Sequence, residues 1–168
     1  MATCTWDGGT DNWNDAANWN TDGATDRVPI TGDDVVINTA GATVTLDVHI
    51  GGGQTNTGLG DLTLTAGTLT TNDGSNRMLT VTGDVTITGG GLLCNSSTVS
   101  VNSFTISSGG TLSAPDASGS LTINGTKNAW SFQNNSTNFS HNNGTITQTN
   151  AGHIKSVSSN PMYNFIMN

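Results

Sequence analysis

The chain has 168 residues, the size of one ordinary domain, so a single architecture is expected to account for all of it. Only 10% of the residues are charged, far below the roughly 25% usual in soluble globular proteins, and Thr, Ser, Asn and Gly take their place, which excludes the highly charged kind of disorder and points to an ordered, thin-cored fold. A formal net charge of −8 with only four Lys or Arg residues repels phosphate backbones and anionic lipid heads, so neither nucleic acid nor membrane insertion is expected.

The N-terminal stretch TWDGGTDNWNDAANW crowds Trp6, Trp13 and Trp19 together, whereas the rest of the chain is mainly aliphatic in its apolar content. Two roles fit such a cluster. It can be a platform on which sugars stack, or a cap that covers the open end of a stacked structure and shields both its apolar core and its unpaired strand edge. The cap is preferred, because the motif directly precedes the first strand. The chain therefore divides, within one domain, into a capping segment (residues 1–34) and a run of coils (residues 35–168).

From Val35 onward, short apolar pairs alternate with Thr, Ser or Asn, the period of a strand with one buried face. Val35 and Ile37, Val44 and Leu46, Leu62 and Leu64, Leu79 and Val81, Val85 and Ile87, Val99 and Val101, Phe104 and Ile106, and Leu121 and Ile123 are the clearest. The segments starting at Asp61, Asp84 and Phe104 repeat this triplet pattern at about 20 residues, the signature of stacked coils. The reading is all-β: a right-handed single-stranded parallel β-helix, or solenoid, with three strands per coil and an aromatic N-terminal cap. Gly67, Gly89 to Gly91, Gly109 and Gly110 supply positive φ angles or tight bends at corners. The stretches Thr71 to Arg77 and Ser113 to Ser120 read as loops projecting from one corner. After Gly125 the apolar residues Trp130, Phe132, Phe139, Ile146, Ile154, Val157, Met162, Tyr163, Phe165 and Met167 are spaced by Asn-rich segments, predicting one or two less regular coils.

The run W-D-G-G-T-D-N-W-N-D-A-A-N-W followed by V-P-I-T-G-D-D-V-V-I (Val28 to Ile37) resembles the opening of large β-helical surface proteins of bacteria and phages, similar to autotransporter-type adhesins. The later stretches Phe139 to Thr147 and Pro161 to Asn168 resemble a repeat unit of the same group. The resemblance implies a parallel β-helix and a role in surface display or adhesion. Met1 is followed by no basic or apolar leader; with an extracellular-looking composition, this predicts a phage particle assembled in the cytoplasm and released by lysis, a removed leader being the rival reading. A final apparent strand, Met162 to Asn168, would leave an edge for another subunit to cover.

Candidate chemistry is sparse. The acids concentrate near the N-terminus and there is no Glu. Asp61 and Asp84 hold equivalent places before a triplet and read as turn residues rather than a catalytic pair. Asp33 and Asp34 could contribute to a calcium site, but strand entry explains them better. His49, His141 and His153 are isolated in sequence and suit corner or solvent-facing positions. Cys4 and Cys94 match no metal spacing, and two packed free thiols are preferred to one disulfide. The expectation is thus a non-enzymatic structural component of a phage virion, in a head decoration, fibre or tail fibre, with no catalytic residues, cofactor or metal. Its partners would be other capsid, tail or fibre subunits, itself as a homo-oligomer, and a cell-surface glycan. The alternatives are the N-terminal module of a bacterial cell-surface adhesin, and a glycan-binding or glycan-cleaving β-helix.

Overall fold

The computed structural model describes residues 1–125, 130–156, 162 and 164–168, with the backbone alone at Trp130. The chain winds as a parallel β-solenoid of about five turns, three strands to a coil. On the first face lie β4 (Asp34–Ile37), β6 (Leu62–Leu64), the C-terminal part of β8 (Leu79–Ile87), the C-terminal part of β10 (Thr98–Ile106), β13 (Trp130–Asn134) and β16 (His153–Ser156), each parallel to the next. A second face stacks β2 (Asp11–Asn12), β5 (Thr43–Thr45), β7 (Thr68–Thr70), β9 (Gly91–Leu93), β11 (Thr111–Ser113) and β14 (Phe139–Ser140). The third is formed by the N-terminal parts of β8 and β10, then β12 (Ser120–Ile123), β15 (Thr145–Gln148) and β17 (Asn164–Met167).

Parallel register stacks like positions over like, at about 4.8 Å per coil. Leu62 pairs with Val85 and Val85 with Phe104, all fully buried, so the three repeat segments share one inward column. Val44, Leu69, Leu92 and Leu112 form the matching column on the second face, and all four are fully buried. The expected pair Val44 and Leu46 is buried on this face, but β5, β7 and β11 each hold only one buried residue flanked by two outward ones. The second inward residue of each pair falls just past the strand, at Leu46, Thr71, Cys94 and Ala114, all buried. Thr71 is therefore interior, not loop, and its hydroxyl donates to the Cys94 carbonyl at 2.7 Å. Ser113 likewise belongs to β11, which narrows the two projecting loops from the expected boundaries.

Of the corner glycines singled out in the sequence, only Gly67 has positive φ, at +70°. Gly110 is required for another reason: a Cβ there would lie 2.6 Å from the Ile87 carbonyl of the preceding coil, where no side-chain atom fits. Close stacking, rather than turn geometry, selects it.

The capping segment joins the solenoid instead of sitting apart. β1 (Thr3–Trp6) pairs in parallel with β4, and β3 (Trp19–Thr21) closes that end by pairing antiparallel to β1. Between them lies a single 3-10 turn, Ala16–Asn18, whose Ala17 N–H is capped by the Asp15 carboxylate. At the far end β17 spans Asn164–Met167, shorter than the expected strand, with Ile166 and Met167 exposed. Val157 and Tyr163 lie outside the described residues, as does the side chain of Trp130.

Candidate functional site

The three tryptophans are at most 1% exposed. Trp6 and Trp13 each meet the Trp19 ring edge-on, with centroids 5.0 and 4.6 Å apart, the geometry that the ring quadrupole favours. Trp6 Nε1 donates to the Gly9 carbonyl and Trp19 Nε1 to the Trp13 carbonyl. A ring buried in this way offers no open face to a sugar, so the platform reading of this motif does not hold and the cap reading does.

Behind the cap, Asp33 gathers the N-terminal chain. Its side chain is 2% exposed and accepts from Arg27 Nη1 at 2.5 Å and from the backbone N–H groups of Ile30 and Ala2. Burial by itself would raise its pKa, but the Arg27 and backbone hydrogen bonds and the guanidinium charge together hold it at about 2. The Asp33 carboxylate is thus already paired with a cationic side chain of its own chain. Among the described residues, no three His, Cys, Asp or Glu side chains gather as a metal site.

This hub fixes an extended strap, residues 27–31, as one wall of a cleft of about 750 Å³. The opposite lining comes from Asp47 to Ile50 and from a loop, residues 51–58, inserted into the third face of the first coil between Ile50 and Leu59. Gly51, Gly52, Gly53 and Gly58 of that loop all have positive φ. Strap and loop are tied together: Asn56 Nδ2 donates to the Pro29 carbonyl, Thr31 Oγ1 to the Thr55 carbonyl, and the Thr57 N–H to Thr31 Oγ1. Trp13, Asn14 and Arg77 complete the lining.

The polar groups of the cleft are also held. Asp47 Oδ1 accepts the Asn14 N–H at 2.9 Å, joining cap to coil. His49 Nδ1 accepts the Met78 N–H, which leaves the ring proton on Nε2. Arg77 is clasped by Asp73 through Nε and Nη2; the Asp73 hydrogen bond, and secondarily the charges of Asp73 and Asp47, raise its pKa. Val28, Ile30, Val48 and Ile50 supply the aliphatic surface, and Ile30 is 55% exposed. In the sequence, His49 stood alone and the glycine-rich loop carried no periodic signal; only the fold brings these residues to one place.

The aspartates that precede triplets do structural work. Asp34 Oδ1 accepts the Asp61 N–H and Asp61 Oδ1 accepts the Asp84 N–H, both at 2.8 Å, while Asp84 Oδ1 accepts the Ser103 hydroxyl. These links span 27, 23 and 19 residues, so coil length varies while the corner stays aligned. At Gly83 a Cβ would collide with the Asp61 carboxylate, which explains the G-D dipeptide. Cys4 and Cys94 are free and buried, and burial is the main cause that raises both thiol pKa values, which keeps them protonated. His141 Nδ1 accepts the Asn143 N–H, and His153 is exposed on β16. No described helix is long and apolar enough to cross a membrane.

Compared with protein-family models, curated proteins and solved structures, the chain matches none of them.

Proposed function

We propose that the chain is a non-enzymatic structural component of a phage virion, part of a head decoration, fibre or tail fibre, whose solenoid presents loops from a rigid body. The carrying observation is that length varies in excursions outside the strand pairing. Residues 72–77 and 115–119 leave from the corner between the second and third faces and residues 51–58 are inserted within the third face, while the strands of each face keep register from coil to coil. A shape in which every coil is pinned to its neighbours suits transmission of force and fixed display. Its outward strand positions, such as Thr63, Thr86 and Thr105 on the first face, carry hydroxyls rather than charges.

Asp34 and Asp61 each give one carboxylate oxygen to a backbone N–H of the next coil, and Asp84 gives one to the Ser103 hydroxyl, so these aspartates hold successive coils in line. The test is immunogold electron microscopy with antibodies to the chain. Label on purified virions is the expected result; label on bacterial cell surfaces alone would replace the virion assignment with the adhesin one, and label on neither would overturn both.

A further inference from the structure

We propose that the cleft between the strap and the first-coil loop binds a neutral saccharide. This goes beyond the structural role and stands apart from where the protein is deployed. The cleft has the right scale, since small-ligand sites run from roughly 300 to 1,000 Å³ and this one measures about 750 Å³. It is also pre-formed, because Asp33 anchors the strap from behind and Asn56, Thr55 and Thr57 anchor it to the loop.

The ligand class follows from what lines it. Ile30 presents an aliphatic surface that is 55% exposed on a fixed backbone, suited to the C–H face of a sugar ring. Nearby polar groups mix donors and acceptors: the Asp47 carboxylate, which gives one oxygen to Asn14, His49 with its proton on Nε2, and the Gln54 amide. A hydroxyl can both donate and accept, so a polyhydroxylated ring can answer each of them. An apolar ligand could not, and would cover the second Asp47 oxygen and the His49 Nε2–H without answering them.

Charge separates neutral from anionic ligands. Arg77 is the one Lys or Arg among the described lining residues, and Asp73 already holds its Nε and Nη2. With the chain at −8, a phosphate, sulfate or carboxylate would meet net repulsion. A peptide adding as a β-strand is disfavoured too, because the carbonyls of Val28, Pro29 and Ile30 already accept from Arg27, Asn56 and Asp33.

The experiment is saturation-transfer NMR on the full chain at millimolar ligand. The neutral probes are lactose, maltose, chitobiose and methyl mannoside; the anionic probes are sialyllactose and glucose 6-phosphate. Transfer to at least one neutral probe is expected, weakened about tenfold or more in affinity by Ile30→Ser and by Asp47→Ala, and unchanged by Thr86→Ala on the first face. Ile30 is exposed, so its variant keeps the test valid should Asp47→Ala disturb the cap. No transfer to any neutral probe, stronger binding of an anionic one, or full retention of binding in Ile30→Ser would overturn the proposal. None of these results bears on immunogold labelling, so the two readings fail separately.

Discussion

The two ends of the solenoid solve the same problem differently. At the N-terminal end, the inward columns finish in Cys4 and Trp6, paired with Val35 and Ile37, and an antiparallel strand covers the sheet edge. At the other end, the columns that began as aliphatic turn polar. Asn134 follows Ile106, and Gln148 follows Ile123. Gln148 is fully buried, accepting from the Ser131 hydroxyl and donating to the carbonyls of Gly125 and Asn150. One end is sealed by aromatic mass and the other is knitted by amides. Both bury donors without a partner, Trp13 Nε1 and Asn18 Nδ2 at one end, Asn134 Nδ2 at the other. A repeating interior satisfies its backbone automatically; its ends must find individual solutions.

This contrast is open to attack by substitution. The largest effect is expected at the cap: Trp19→Ala should cost about 3–5 kcal/mol, as large aromatic deletions from packed cores do, against less than about 1 kcal/mol for Phe165→Ala on half-exposed β17. Urea unfolding of the two variants reads the difference, and equal losses would erase the distinction between the ends.

The next effect depends on pH. Asp33 is depressed from its ordinary value to about 2, so its contribution is complete above about pH 4 and is lost as pH falls through about 2; the shift corresponds to about 2 kcal/mol. Asp33→Asn should therefore lower stability by that amount at pH 7 and by almost nothing at about pH 1 or below, as followed by urea midpoints across pH. A variant equally damaging at every pH would show that Asp33 acts by shape alone.

At the amide-knitted end, Gln148→Ala takes the donor from the Gly125 and Asn150 carbonyls, and a loss of roughly 1–2 kcal/mol is expected. Amide exchange should localise it to β13 and β15. Smallest of all is Asp61→Ala, which removes one rung of the exposed aspartate ladder. It should speed exchange at the Asp84 amide and leave the cap untouched.

Much of the architecture was legible because a strand with one buried face writes itself as alternation, and stacked coils write themselves as recurrence. Leu62, Val85 and Phe104 announced their column in advance. The second face was harder to read, since β7 and β11 carry a single buried residue and the second inward position falls beyond them, at Thr71 and Ala114, where the sequence suggests a loop. The glycines were read partly for turn geometry, yet Gly110 answers to the neighbouring coil. Steric exclusion by a segment some twenty residues away leaves no local mark.

The amino-acid order by itself determined that this chain is a stack of thin three-strand coils headed by an aromatic cap, because period, recurrence and composition are properties of neighbours in sequence. Tertiary structure alone decided that the tryptophans turn their faces to one another, that Asp33 is clasped by Arg27, and that Ile30, Asp47, His49 and Arg77 meet around one cleft. The cleft arises where the strap, a loop inserted in the first coil and a corner of the second coil converge. Their residues have no common period, so their meeting is set by the path of the chain in space.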